Sequence, residues 1–564
     1  MMFKKASSSF FVKKEPKKLL SSGRLRVKTL SLLLTLLATP AFADQKANCG
    51  TIVFPTGIGE SSAEDLTSFN PLLVDTAYNG EAAWLMYPNL LWINRFSDID
   101  WSRSLASAIT TTDNTTFTIT MRPLHWSDGA PLTAEDVNYY FQLAKQLGTN
   151  WPGYGGGGMP YIVKSIKILS DSQLQITTTH PVNPDWFIYN GIGGLQPLPE
   201  HAWKNYTLDQ MVQLQSSPSF FNVVIGPLKL QSLTIGQDAV FVPNPSWYGT
   251  KMHFSRLVFR FLSGDGTAVQ GVESGALDAA KVAPALFAFA RRIPNTHIDI
   301  LQPTAAADVI SLNLHNPAVG FLTDVRVRQA MEDAIDQTTM IKLVYHGAGV
   351  PGYGPVLSTM TRFLPPAMQH GVYPVGYAPA KSRALLKAAG FTPGPDGIME
   401  KDGKRLSFVQ LDAAGSDEGI AMDEFLVGEL RKVGIEMKVQ IQEFNQMMAV
   451  MSSQPTRWEA GGFGLSVQNY PSGELALATG SFQNFGGYSD PKMDALINDS
   501  VNKPGLQGLF DYETYASAQQ PDIFFARNLP VIITNNRLHG IREFVDPVGQ
   551  YAPEQLYCTP GTAK

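Results

Sequence analysis

Residues able to carry catalysis are scattered along this chain rather than grouped. Its nine histidines (His125, His180, His201, His253, His297, His315, His346, His370 and His539) show no metal-ligand spacing. No H-E-x-x-H zinc helix, G-x-S-x-G nucleophile elbow or G-x-x-x-x-G-K-[ST] phosphate loop occurs. The run GYGGGG at 153–158 fits G-x-G-x-x-G in form. It follows TNWP rather than a strand, so it lacks the setting that lays backbone N–H groups on a pyrophosphate and reads as a loop. Glu135 and Asp136, in LHWSDGAPLTAEDV (124–137), are adjacent acids of the kind general acid–base work uses. Helix capping explains them more simply: Thr133 is a good N-cap, and acids in the first turn complement the helix dipole. The expectation is no enzyme, no metal and no cofactor.

Two cysteines remain, Cys49 and Cys558. In an oxidising compartment such an isolated pair is expected to join. The bridge would close nearly the whole chain, which loop-entropy models value at about 5 kcal/mol. It would also bring both chain ends into one domain.

The elements around these residues follow a repeated grammar. TTFTITM (115–121) alternates and reads as a strand. Arg122-Pro123 ends it, WSDG (126–129) turns the chain with Gly129 free to take positive φ, and the helix capped by Thr133 continues through DVNYYFQLAKQLG. LTDVRVRQAMEDAID (322–336) has Thr323 or Asp324 as cap and Val327, Ala330, Met331, Ala334 and Ile335 at helical spacing. APAKSRALLKAAGF (378–391) ends on Gly390, a left-handed helix terminator. Asp402-Gly403 between two extended runs signals a hairpin. DEFLVGELRKVGIEMKVQI (423–441) reads as a helix closed near Gly434, then a strand. Alternating strands and helices argue α/β architecture. A chain this long exceeds one hydrophobic core, so two large lobes are expected.

Residues 1–43 read as a cleavable signal peptide: a basic stretch, the ten-residue apolar run TLSLLLTLLA (29–38), then Ala41-Phe42-Ala43. The run falls short of the roughly 20 residues a bilayer span needs. Cys49 is preceded by polar QKAN and is not expected to be lipidated. The segment holds nine of the 44 Lys and Arg and one of the 49 acids, so the remainder carries 35 bases against 48 acids, a net −13. Such a chain lacks the clustered positive charge that nucleic acid or an anionic membrane surface requires.

Eight blocks, in order, carry a further resemblance: TITMRPLHWSDGAPLTAEDV, LPEHAW (198–203), VVIGPLKL (223–230), NPSWYG (244–249), ESGALDAA (273–280), TDVRVRQAMEDAID (323–336), KSRALLKAAGF (381–391) and GYSDPKMDALI (487–497). Together, from about residue 50 to 545, they resemble family 5 of the extracellular solute-binding proteins. These are large receptors of ABC importers with peptide- and nickel-binding members. The resemblance implies an α/β, two-lobed, periplasmic-binding-protein-like fold (a type II flytrap) with an inserted subdomain in the first lobe. Lobe I would comprise 44–305 plus 536–564, with the insertion at about 95–225. Lobe II would comprise 306–535, with hinge crossovers near 305 and 535. The implied function is a monomeric periplasmic receptor that captures a small solute, an oligopeptide before other classes, and delivers it to inner-membrane ABC permease subunits. The alternatives are the same fold holding a sugar, an opine-like conjugate or a metal chelate, an exported hydrolase with a triad assembled in space, and a chaperone-like protein that binds no small solute.

In peptide-binding members of that family, an Asp before a Tyr in the second lobe holds the peptide's α-ammonium. The matching stretch is GGFGLSVQNYPSGELALATGSFQNFGGYSD (461–490), where Tyr470-Pro471 aligns best and places Asn469 at the acid's position. Glu474 or Asp490 could serve instead. Asparagine brings no charge, and a buried ammonium without a counter-charge costs several kcal/mol. The stretch contains no histidine, which argues against nickel. The expected contacts are Phe463, Gln468, Asn469, Tyr470 and Asn484 from the second lobe, Phe69, Asn70 and Tyr78 from the first, and Trp151 and Tyr154 beside the glycine run. Each has an ordinary alternative: core for the aromatics, turns for asparagines beside Pro or Gly.

Overall fold

The computed structural model describes residues 46–58, 66–74, 76–262, 264–303, 305–414, 417–545 and 550–561. The expected signal peptide lies outside the described residues. In the first lobe, Thr51–Pro55 pairs in parallel with Arg256–Arg260, and Asp238–Pro243 and Leu228–Thr234 extend the sheet antiparallel. A second sheet orders Thr296–Ile300, Val531–Asn535 and Ala279–Lys281, all antiparallel.

Residues from both ends of the described chain meet here. Cys49 and Cys558 form the expected disulfide, with Cα atoms 5.0 Å apart. Beside it the buried Arg537 pairs with the buried Asp278 at 2.7 Å. Its guanidinium also donates to the carbonyls of Cys49 (3.0 Å) and Thr51 (2.9 Å), while Asp278 accepts from the Val53 N–H (2.9 Å). A guanidinium carries five donors in a rigid fork, so one side chain ties the first strand to the last segment.

The insertion builds an antiparallel sheet in the order Ala106–Thr110, Thr116–Met121, Gln173–Thr178 and Val163–Ser170. The helix Ala134–Leu147 buries Val137, Tyr140, Phe141 and Ala144 against the core. Asp136 does more than complement the dipole. One oxygen accepts from the Thr133 N–H (2.8 Å) and the Trp126 indole (3.2 Å), and the other from the Glu200 N–H (3.1 Å). Burial pushes its carboxyl above the usual range, and these donors pull back against that shift. The acid thus joins turn, helix start and a distant segment, which is why WSDG and TAED sit so close together.

The second lobe is built on a five-stranded sheet ordered Glu436–Gln442, Ser407–Ala413, Ala460–Ser466, Ala306–Leu312 and Asp522–Phe524. The first three run parallel, and Ala306–Leu312 runs against both its neighbours. The helices Val325–Ala334, Pro379–Ala388 and Asp417–Lys432 pack one core, and Phe444–Ser453 sets Met447 and Met451 beside Leu411 and Trp458 in another. The hairpin at Asp402-Gly403 joins Met399–Lys401 to Lys404–Arg405, with both turn residues at positive φ (53° and 73°). That backbone matches the twist of the paired strands.

The chain crosses from Thr296–Ile300 to Ala306–Leu312 and returns between Asp522–Phe524 and Val531–Asn535. Val531–Asn535 already pairs with strands of the first lobe. VIITN has a strand's composition in either lobe, and its pairings with Thr296–Ile300 and Ala279–Lys281 assign it to the first.

Candidate functional site

The carboxyl ends of three parallel strands lie together at one edge of the second sheet, beside the start of Ala306–Leu312. Open α/β sheets bind ligands beyond such ends. The stretch 467–475 leaves from this edge. Here Ile93, Asn94, Arg95 and Ser97 of the first lobe, Gln302, Pro303 and Ala305 of the crossover, and Leu357, Thr359, Met360 and Asn469 of the second lobe line a partly open hollow. Ile93, Pro303, Leu357 and Met360 supply apolar wall, while Asn94, Arg95, Ser97, Gln302, Thr359 and Asn469 are polar. Pro303 and Leu357 also border a second hollow, which is lined by the Asp308–Arg527 ion pair (2.5 Å). Burial pushes the Asp308 carboxyl up, and Arg527 pulls it back.

The segment 351–360 that lines both hollows is held from behind. Val356 N–H donates to the buried Glu513 at 3.2 Å, and the Ser517 hydroxyl donates to the other carboxyl oxygen at 3.0 Å. Burial raises the Glu513 carboxyl to about 8.

A second junction clasps the inserted subdomain to the second lobe. The Asn183 amide donates to the Tyr470 hydroxyl (3.0 Å) and to the carbonyls of Ser500 (2.8 Å) and Gly505 (2.9 Å). Asn190 exchanges two hydrogen bonds of 2.8 Å with the backbone of Tyr470. The Trp186 indole donates to Glu474 at 2.8 Å. Ser472 donates to the other oxygen of that carboxyl, and the Gln468 amide, in the orientation its surroundings require, donates to both (2.9 and 3.2 Å). Burial raises the Glu474 carboxyl, and these donors partly offset the shift. The fully buried Phe363 is wedged edge-on between Tyr189 (5.6 Å) and Tyr470 (5.4 Å), and Arg362 reaches Asp98 at 2.8 Å. The two halves are therefore closed on one another at this junction.

The structure places the expected contact residues in three different roles. Asn469 lines the cavity. Tyr470 and Gln468 belong to the clasp, with Tyr470 wholly buried. The remainder have local or core partners. Phe69 is fully buried between Phe221 and Phe241, and Asn70 is buried with its oxygen accepting from Leu72 N–H (3.1 Å). Tyr78 packs against the same core. Trp151 is buried and donates to the Tyr140 hydroxyl (3.1 Å), while Tyr154 stands edge-on to Tyr161. Phe463 packs on Phe485, and Asn484 spends its amide on the carbonyls of Ala478 and Tyr488. Gly157, at φ 57°, lies so close to the Gly191 backbone that a Cβ would collide with it.

Sequence reasoning did not pick out Asn183, Trp186, Asn190, Arg95 or Gln302. NPDW at 183–186 reads only as a helix start, and the Asn183 oxygen does cap Asp185 N–H (3.1 Å). Its amide nitrogen reaches residues some 300 positions away, which leaves no local signal.

A hinge crossed twice, two sheet-based lobes and a cavity between them define a two-lobed solute-binding protein. The chain belongs to the bacterial extracellular solute-binding proteins, family 5, whose middle-region description matches residues 101–490. Members of that family are transport receptors. Protein XP55 of Streptomyces lividans is 27% identical over 458 residues, covering 78% of this chain and 77% of that protein. The oligopeptide-binding protein AppA of Bacillus subtilis (strain 168) is 24% identical over 383 residues, 66% of this chain and 67% of the relative. The fold matches the solved structure of B. subtilis AppA in complex with a nonapeptide, with a TM-score of 0.70, 19% identity, and 91% and 100% of the two chains covered. It also matches NikA from Brucella suis in complex with Fe(III)-EDTA, with a TM-score of 0.73, 19% identity, and coverage of 90% and 99%. Among the described residues no helix is long and apolar enough to cross a membrane.

Proposed function

We propose that this chain is the periplasmic receptor of an ABC importer, taking a small solute, an oligopeptide before other classes, between its lobes and presenting it to inner-membrane permease subunits. The observation that carries the reading is the hollow whose lining comes from both lobes and from the crossover. A ligand touching both lobes favours the closed arrangement over any open one, and the importer reads that shift in population. AppA, named as oligopeptide-binding, supports the peptide reading. The protein acts as a monomer without cofactor or catalysis. It is exported by cleavage after residue 43, and Cys49 is not lipidated, in keeping with its sulfur being committed to Cys558.

A second reading, the same receptor tuned to a non-peptide solute, is favoured by Asn469 at the cavity wall in place of an acid. The test is mass spectrometry of small molecules released on denaturing protein purified gently from periplasm. Short peptides support the first reading, and a single non-peptide species supports the second. A folded protein that releases nothing and gains no thermal stability from any solute class refutes both. A receptor at 100 times its Kd should gain about 2.7 kcal/mol.

A further inference from the structure

Charge around the cavity narrows the solute further, on the reading that this is a solute receptor. Among the described residues, the acids nearest the site are already engaged. Glu474 faces the Trp186, Ser472 and Gln468 donors of the clasp. Asp490 accepts from the hydroxyls of Tyr515 (2.7 Å) and Tyr488 (3.1 Å) and caps the helix Pro491–Asn502 through Lys492 N–H (2.9 Å). Asp98 holds Arg362, and Asp308 holds Arg527. Among the described residues that line this cavity none is acidic, and Arg95 is the one cation.

Arg95 has no ion-pair partner among the described residues, and its guanidinium rests 5.0 Å from the centre of the Phe96 ring. Asn94 commits its side-chain oxygen to the N–H groups of Phe96 (2.8 Å) and Asp98 (3.1 Å), which leaves its amide N–H groups as what it can offer a guest. The wall is therefore rich in donors and empty of negative charge. We infer that the cavity takes a solute presenting an anionic acceptor, a carboxylate in the first instance, to Arg95, and that the described residues of its wall offer no anchor for a free ammonium. A guanidinium meets a carboxylate with two parallel N–H donors, the strong form of such a contact. A peptide would then be held by its carboxylate, with its amino end unread.

The test uses the full exported chain purified from periplasm without denaturation, as wild type and as Arg95→Gln. Arg95 is exposed, so the substitution leaves the fold intact, which circular dichroism checks. Native mass spectrometry gives the occupancy, and ion exchange at neutral pH gives the charge of the released solute. The expected result is a solute bearing a carboxylate, with occupancy lowered about tenfold or more in Arg95→Gln, the loss of one charge-assisted pair. A solute whose one charged group is an ammonium, or equal occupancy in the two proteins, overturns the inference.

For a chain that emerges empty, thermal shift is read with trialanine, N-acetyl-trialanine, trialanine amide, gluconate and glucose. Stabilisation by the acetylated peptide or gluconate, and none by the amide, supports the inference. Stabilisation by the amide overturns it. A chain that carries nothing and responds to no probe defeats the receptor reading itself, which is how the two failures are told apart.

Discussion

Replacing Glu513 by glutamine should flatten the pH dependence of this protein's stability. The carboxyl is fully buried, accepts from Val356 N–H and the Ser517 hydroxyl, and rises from an ordinary value near 4.5 to about 8 because burial disfavours its charge. Between those values the folded chain binds one proton more than the unfolded chain, so stability falls as pH rises. The contribution is fully present below about pH 4.5 and is lost as pH climbs through about 8. At about 1.4 kcal/mol per unit, the wild type should lose roughly 3 to 4 kcal/mol between pH 5 and pH 8 through this group alone. Glutamine keeps the shape. Its oxygen can still accept from Val356 N–H, and its amide can donate to the Ser517 hydroxyl, but it has no proton to lose. Urea unfolding of wild type and Glu513→Gln at pH 5, 6.5 and 8 reads the difference. The variant should gain on the wild type by that amount across the range, while solute binding at pH 6.5 stays unchanged because Glu513 stands behind the cavity wall. Parallel stability curves for the two proteins would refute the reasoning.

Other outcomes follow from the same geometry. Exchanging both Cys49 and Cys558 for serine should cost about 5 kcal/mol, the upper end for a disulfide, because the bridged residues lie 509 positions apart. An unchanged urea midpoint would show that Arg537 and Asp278 hold the ends unaided. Trp186→Phe removes the indole donor to Glu474 while keeping the ring's bulk, at a cost of about 1–3 kcal/mol to the closed arrangement. Small-angle X-ray scattering should then show a larger ligand-free particle and titration a weaker affinity; an unchanged scattering profile would mean the clasp does not set the closed population. Asp136→Asn should lower stability by about 1 kcal/mol or more and leave binding intact, since Asp136 organises the turn and helix start rather than the cavity. Thermal melts with and without solute check it, and loss of binding without loss of stability would contradict that assignment.

Local grammar was legible where the physics is local. Thr133 with Asp136 starts its helix, Gly390 takes the left-handed backbone, Asp402-Gly403 turns its hairpin, and the two cysteines pair. Family resemblance supplied the lobes. The site itself was less legible. Asn469 is at the cavity wall, but Phe69 is core, and Asn484 is a loop brace, because aromatic and amide residues look alike in a sequence whether they face a guest or their own chain. Asn183, Trp186 and Asn190 gave no signal at all. Their partners lie some 300 positions away, and a hydrogen bond across that separation imposes no periodicity or spacing.

The central claim is that solute lies in the cavity between loop 93–97, the crossover and Asn469. Native mass spectrometry of wild type and Asn469→Trp, both purified from periplasm, tests it most directly. Indole at 469, a half-buried position on the cavity wall, would occupy the hollow in place of a solute. The account predicts a folded variant that has lost its solute while the wild type carries it. Equal occupancy in the two proteins would contradict the account and place the solute elsewhere.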